Sequence, residues 1–185
     1  MKFTKRDLSV GMIEGNLICL PIMLTIFGTL TAIQYLFSGS LDYEAVINRQ
    51  FLPALLLGII GHEIIHALTW VVLGKVPIKE IRFNIHWLTL SPYAHSKVPM
   101  EKWAYVIGSA MPGIVLGILP FLAGLVLGDM RLIWFGVLFS GAAVGDILVL
   151  WQIRNVSDDA LIEDHPSRAG CVVSEPIPTL GMVAG

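Results

Sequence analysis

The chain has 185 residues, of which 55% are hydrophobic and only 14% charged, with a formal net charge of −2. Soluble domains carry about 25% charged residues, so this composition excludes an ordinary water-soluble globular protein and points to a membrane protein. The near-neutral charge excludes nucleic acid as a bulk electrostatic partner, and two cysteines as far apart as Cys19 and Cys171 exclude a disulfide scaffold.

In chain order, a basic amino terminus (Lys2, Lys5, Arg6) precedes a first apolar segment over residues 15–37. That segment is too long for a signal-peptide core and no small-residue cleavage site follows, so it reads as an uncleaved anchor helix. A polar connection leads to a second apolar segment at 51–74; a third covers 103–128 and a fourth 132–153. Each exceeds the roughly 20 residues needed to cross a hydrocarbon core. Residues 129–131 form a tight turn, which makes the last two helices an antiparallel hairpin.

Between the second and third segments, residues 81–89 alternate apolar and polar with period two, bounded by Pro77, Pro92 and Pro99. That is a strand signal. The expectation is a β-strand or hairpin against the cytoplasmic membrane face, a structureless amphipathic loop being the other reading. After Arg154 the chain holds Asp158, Asp159, Glu163 and Asp164 with little periodicity, and reads as an extended tail, partly disordered at its end. The fold class is therefore an all-α polytopic membrane protein: four transmembrane helices and one short cytoplasmic β element. Residues 1–153 form the membrane domain and 154–185 a cytoplasmic tail.

Ten of the twelve Lys and Arg residues lie at the amino terminus, in the 75–102 connection or in the tail; only Arg49 and Arg131 lie in the other two connections. The positive-inside rule then puts both termini and the long middle loop in the cytoplasm, in a multi-pass cell-membrane protein.

The second segment contains Gly61-His-Glu-Ile-Ile-His66. Histidines four apart on a helix share one face, which lets His62 and His66 bind one Zn²⁺. Glu63, one position on, is placed to act as general base toward a water beside the ion. Ionisable groups at mid-bilayer cost on the order of 3 kcal/mol each and mark functional sites. A polar helix-packing cluster is the bland alternative, and it explains neither the spacing nor the glutamate.

A catalytic zinc takes three protein ligands and leaves one position open. His66 lies eight residues before Gly74 and Asp146 eight before Arg154, so both sit roughly 12 Å below the same membrane face at about 1.5 Å per residue. Asp146 follows a small-residue stretch with a Gly141-x-x-x-Gly145 spacing, which lets helices approach closely. Glu14 and His165 are the other candidates for third ligand. Pro112 and Gly113 interrupt the third segment; this reads first as a kink, and second as a source of a freed carbonyl lining the cavity. His86 and His95 read as surface histidines, and Trp103, Trp134 and Trp151 as interfacial anchors.

The stretches "GHEIIHALTW", "SPYAHSKVPM", "MPGIVLGI", "GDILVL" and "DHPSRAGC" together resemble the putative zincin peptidase family, domain of unknown function 3267, over residues from about 50 to 172. More distantly the chain is similar to site-2 proteases, intramembrane zinc peptidases with His-Glu-x-x-His on one helix and an aspartate ligand on another. The resemblance implies peptide-bond hydrolysis near the cytoplasmic side, with His62, His66 and Asp146 as ligands and Glu63 as base. The site-2 pattern Asn-x-x-Pro-x-Pro-x-Leu-Asp-Gly is not kept: Leu138, Gly141, Ala143, Gly145 and Ile147 stand at its other fixed positions.

The resulting expectation is an integral membrane zinc metallopeptidase acting on a membrane protein or peptide in the lipid bilayer. Its rivals are a catalytically silent scaffold and a zinc transporter or sensor using the same metal site. The sequence sets no oligomeric state.

Overall fold

The computed structural model describes residues 3–41, 44–47, 49–87 and 91–177. The first elements are β1 (Phe3–Val10), α1 (Met12–Ser38), α2 (Glu44–Ile47) and α3 (Phe51–Val72). A 3₁₀ turn (Ile78–Glu80) then leads into β2 (Ile81–His86), β3 (Ser91–Ser96) and β4 (Met100–Glu101). Next, α4 (Lys102–Pro112) continues through a π-helical stretch (Gly113–Ile118) into α5 (Leu119–Leu127). The chain closes with α6 (Met130–Ala142), α7 (Val144–Ile153), β5 (Leu161–Asp164) and β6 (Ala169–Pro176).

Four helical units are long and apolar enough to cross a membrane: α1, α3, the run from α4 through α5, and α6 with α7. Their limits fall within a few residues of those read from hydropathy. Large apolar side chains such as Leu17, Leu36 and Val126 point outward at 66%, 80% and 86% exposure, as expected of helices solvated by lipid. Gly128 ends α5 at φ 67, a left-handed turn that glycine adopts without a Cβ clash. The Asp129 carboxylate then caps α6 by accepting the Arg131 N–H at 2.9 Å, closing the expected helical hairpin.

The all-α expectation is only partly met. The β2–β3 hairpin is present, pairing Ile81 with Ser96 through His86 with Ser91, while residues 88 and 89 of the expected 81–89 strand lie outside the described residues. A second sheet was not expected. It is four-stranded, in the order β1-β6-β5-β4, and its longest ladder joins the two ends of the chain, from Phe3 opposite Pro176 to Val10 opposite Ala169. The segment read as an extended tail thus supplies two paired strands; the expected disorder beyond residue 177 lies outside the described residues. Ile162, Cys171 and Val173 are fully buried against Trp70, Tyr105 and Ile153, which fastens the sheet to the ends of α3, α4 and α7. A second apolar cluster joins Phe51, Phe121, Ile133, Trp134 and Val137 among the helices.

Trp134 belongs to that cluster rather than to an interface: it is 3% exposed and its ring lies 5.9 Å from that of Phe27. Trp103 and Trp151 are exposed, and the Arg154 guanidinium sits 4.0 Å over the Trp151 ring.

Candidate metal centre

No proline interrupts the HEIIH turn of α3, so its helical repeat stacks His62 and His66 one turn apart with ring centroids 4.9 Å apart. Their Nε2 atoms face each other at 3.2 Å. The third group arrives from the join between α6 and α7. The helix is locally distorted at Ala143 (φ −72, ψ 0), between α6 and α7, although Ala143 N–H still donates to Phe139 O and its carbonyl accepts from Ile147 N–H; Asp146 falls in the first turn of α7. Asp146 Oδ2 lies 3.2 Å from His62 Nε2, and Oδ1 lies 3.2 Å from His66 Nε2. Of the two glycines flanking this distortion, Gly141 packs against Met23 of α1, whereas Gly145 faces open space. The close helix approach expected of both is made by one.

All three groups line a cavity of about 590 Å³. Its walls come from α1 (Asn16 and Cys19), α3, β3 and α7. Glu63 lines it too, and its Oε2 accepts the backbone N–H of Ala94 at 2.5 Å. The hairpin is held in place from its other side. Ser96 N–H and the Tyr105 hydroxyl donate to the two oxygens of Asp164 at 3.1 and 2.6 Å, and Tyr93 donates to Pro166 O at 3.0 Å. Burial pushes the Asp164 carboxyl up to about 6, although both donors favour its charged form.

The donor set fits a zinc ion. His66 Nδ1 lies 2.9 Å from Gly108 O; a carbonyl only accepts, so Nδ1 carries a proton, and Nε2 is the nitrogen whose lone pair the ring offers to a metal when it is neutral. That lone pair faces a carboxylate, and Asp146 Oδ2 is buried without a hydrogen-bond partner. Acceptors converging on acceptors call for a cation. Two ligands at about 2.05 Å from a tetrahedral Zn²⁺ stand about 3.3 Å apart, close to the 3.2 Å between the two Nε2 atoms and to the 3.2 Å from each of them to one Asp146 oxygen, Oδ2 for His62 and Oδ1 for His66. The metal-capable group found among the described residues is this one, with all ligand atoms within 4.8 Å of one another.

The other candidates sit elsewhere. Glu14 is exposed in the first turn of α1. His165 lines the cavity, but its Nε2 lies 3.9 Å from the Asp7 carboxylate rather than in the group formed by His62, His66 and Asp146. His95, read as a surface residue, is 8% exposed, and burial lowers its pKa below the usual histidine value. Sequence reasoning missed Ala94 N–H, Trp70 and Asp164, and its second reading of Pro112, a freed carbonyl, did not name Gly108 O or its partner His66. The Ala94 and Gly108 groups are backbone, which carries no side-chain signature. Trp70 was within reach: it lies one turn after His66 and stacks on it at 5.3 Å and 20°.

No curated protein and no solved structure matches the chain. A family model described as putative zincin peptidase matches residues 55–161, more than half the chain, and the match spans the paired histidines, Glu63, the hairpin and Asp146. On that match the chain belongs to the putative zincin peptidase family.

Proposed function

We propose that this chain is an integral membrane zinc metallopeptidase that hydrolyses a peptide bond near the cytoplasmic side of the bilayer. The observation that carries the reading is the convergence of His62 Nε2, His66 Nε2 and the Asp146 carboxylate at 3.2 Å in a cavity that Glu63 also lines. Membership of the family supports the reaction class. The four long apolar helical units support the setting.

In this reading His62, His66 and Asp146 hold the ion, which when bound supplies a Lewis acid for the scissile carbonyl and lowers the pKa of water. Glu63 accepts the proton of the attacking water and returns it to the leaving nitrogen. The Ala94 N–H holds one carboxylate oxygen, leaving the other to move that proton. A membrane-spanning substrate must unwind, since its helical backbone shields the peptide bond. The β2–β3 hairpin offers extended backbone beside Glu63 with which an unwound stretch can pair as an added strand. Water and substrate enter from the cytoplasmic side, where the basic residues concentrate.

The test compares wild type with Glu63→Gln in detergent. The variant retains about one zinc per chain, because Glu63 is not a ligand in this reading, and loses cleavage of a membrane peptide. Persistent cleavage removes Glu63 from its role. Zinc flux through reconstituted vesicles without any cleavage replaces the reading with a transporter.

A further inference from the structure

Pro112 removes a hydrogen bond that α4 needs for its own regularity. In an α-helix each carbonyl is taken by the N–H four residues on, and for Gly108 that residue is Pro112, which has no N–H. The next amide does not compensate, since Gly113 N–H turns back to Ala110 O. The freed Gly108 carbonyl accepts from a neighbouring helix instead: His66 Nδ1 reaches it at 2.9 Å.

Two further features hold that contact. Gly108 has no side chain where one would collide with α3, since a Cβ there would stand 2.2 Å from Trp70 Nε1. The Trp70 ring, in turn, is stacked between His66 at 5.3 Å and Tyr105 at 5.8 Å, the latter pair within 9° of parallel. The imidazole is fixed at its Nδ1 edge by the carbonyl and across its face by the indole. Its remaining nitrogen points at His62 and Asp146.

We propose that Pro112 is a positioning residue for the metal centre: by withholding an N–H from Gly108 it keeps that carbonyl free to set the tautomer and tilt of His66. The inference rests on His66 being a zinc ligand, and adds to it a cause located on another helix. Outer partners of ligating histidines change metal affinity by about 10–100-fold, and Pro112 acts one bond further out, through the carbonyl it frees.

The experiment uses the full chain in detergent, stripped of metal and titrated with zinc against a competing chelator. Pro112→Ala restores an N–H four residues after Gly108, and its zinc affinity falls by about tenfold or more. Pro120→Ala, a proline of the same span away from the cavity, leaves affinity unchanged. In ¹⁵N spectra of histidine-labelled, zinc-free protein, the His66 ring, assigned by its loss in His66→Gln, carries its proton on Nδ1 in wild type. In Pro112→Ala that preference is lost. Equal affinity in wild type and Pro112→Ala, or an equal loss in both proline variants, overturns the proposal. So does a wild-type His66 protonated on Nε2 and not on Nδ1, a result that stands even if Pro112→Ala does not fold. A wild type that binds no zinc overturns the metal reading itself, which separates the two failures.

Discussion

Glu63 on α3 and Ala94 on β3 are joined by a 2.5 Å hydrogen bond from the Ala94 N–H to Oε2, although 30 residues of chain separate them. The proposed general base is thus positioned by backbone, from a strand whose own place depends on Asp164 and the sheet beneath it. Ala94 N–H points away from β2, so Ala94→Pro removes the donor without breaking a ladder bond. A hydrogen bond to a charged group contributes about 1.5–3 kcal/mol, which sets the expectation at an about 10- to 100-fold fall in kcat. Zinc content and KM stay near wild type. Loss of zinc in this variant would assign the hairpin to metal retention instead.

Asp146→Ala removes a carboxylate that faces both histidines at 3.2 Å. Zinc affinity measured by chelator competition falls by more than the about 10–100-fold typical of outer-sphere partners. Asp146→Glu lengthens the side chain in a site framed by helix α7 and recovers only part of it. An Asp146→Ala protein with wild-type affinity would return the third-ligand position to Glu14 or His165.

The Asp164 carboxyl titrates near pH 6 in the folded protein, raised by burial, against about 3.9 for a free aspartate. Between those values the folded state holds a proton that the unfolded chain has released. Its contribution to stability is therefore complete below about pH 4 and is lost as pH rises through about 6. Wild type loses thermal stability relative to Asp164→Asn over that window, as read by Tm from pH 4 to 7. A difference in Tm that stays flat across the window would contradict the raised value.

Cys171 is fully buried on β6, and burial pushes its thiol up to about 12. The thiolate is the reactive form, so in a Cys19→Ser background the folded protein resists a maleimide at pH 7.5 and reacts on denaturation. Rapid labelling under native conditions would mean that the sheet opens readily.

The HEIIH spacing of α3 needs only the helical repeat to bring His62 and His66 together, which is why the pair was legible in the chain itself. The four long apolar helical units were legible for an equally local reason, since length and apolarity are properties of contiguous residues. Asp146 was reached by counting residues from the span ends, an argument that works because helices rise at a fixed rate. It did not foresee the local distortion at Ala143 just before the carboxylate.

What only the tertiary structure decided was every pairing between distant segments. The ladder between residues 3–10 and 169–176 joins the chain's two ends, and neither strand contains a signal naming its partner. The Ala94 amide on Glu63 and the Gly108 carbonyl on His66 are backbone groups, identical in kind at almost every position, and acquire a role only from where the fold puts them. Sequence determines chemistry wherever side-chain identity and short-range periodicity suffice; the orientation of that chemistry is set by nonlocal contacts, because hydrogen-bond geometry depends on positions in space rather than along the chain.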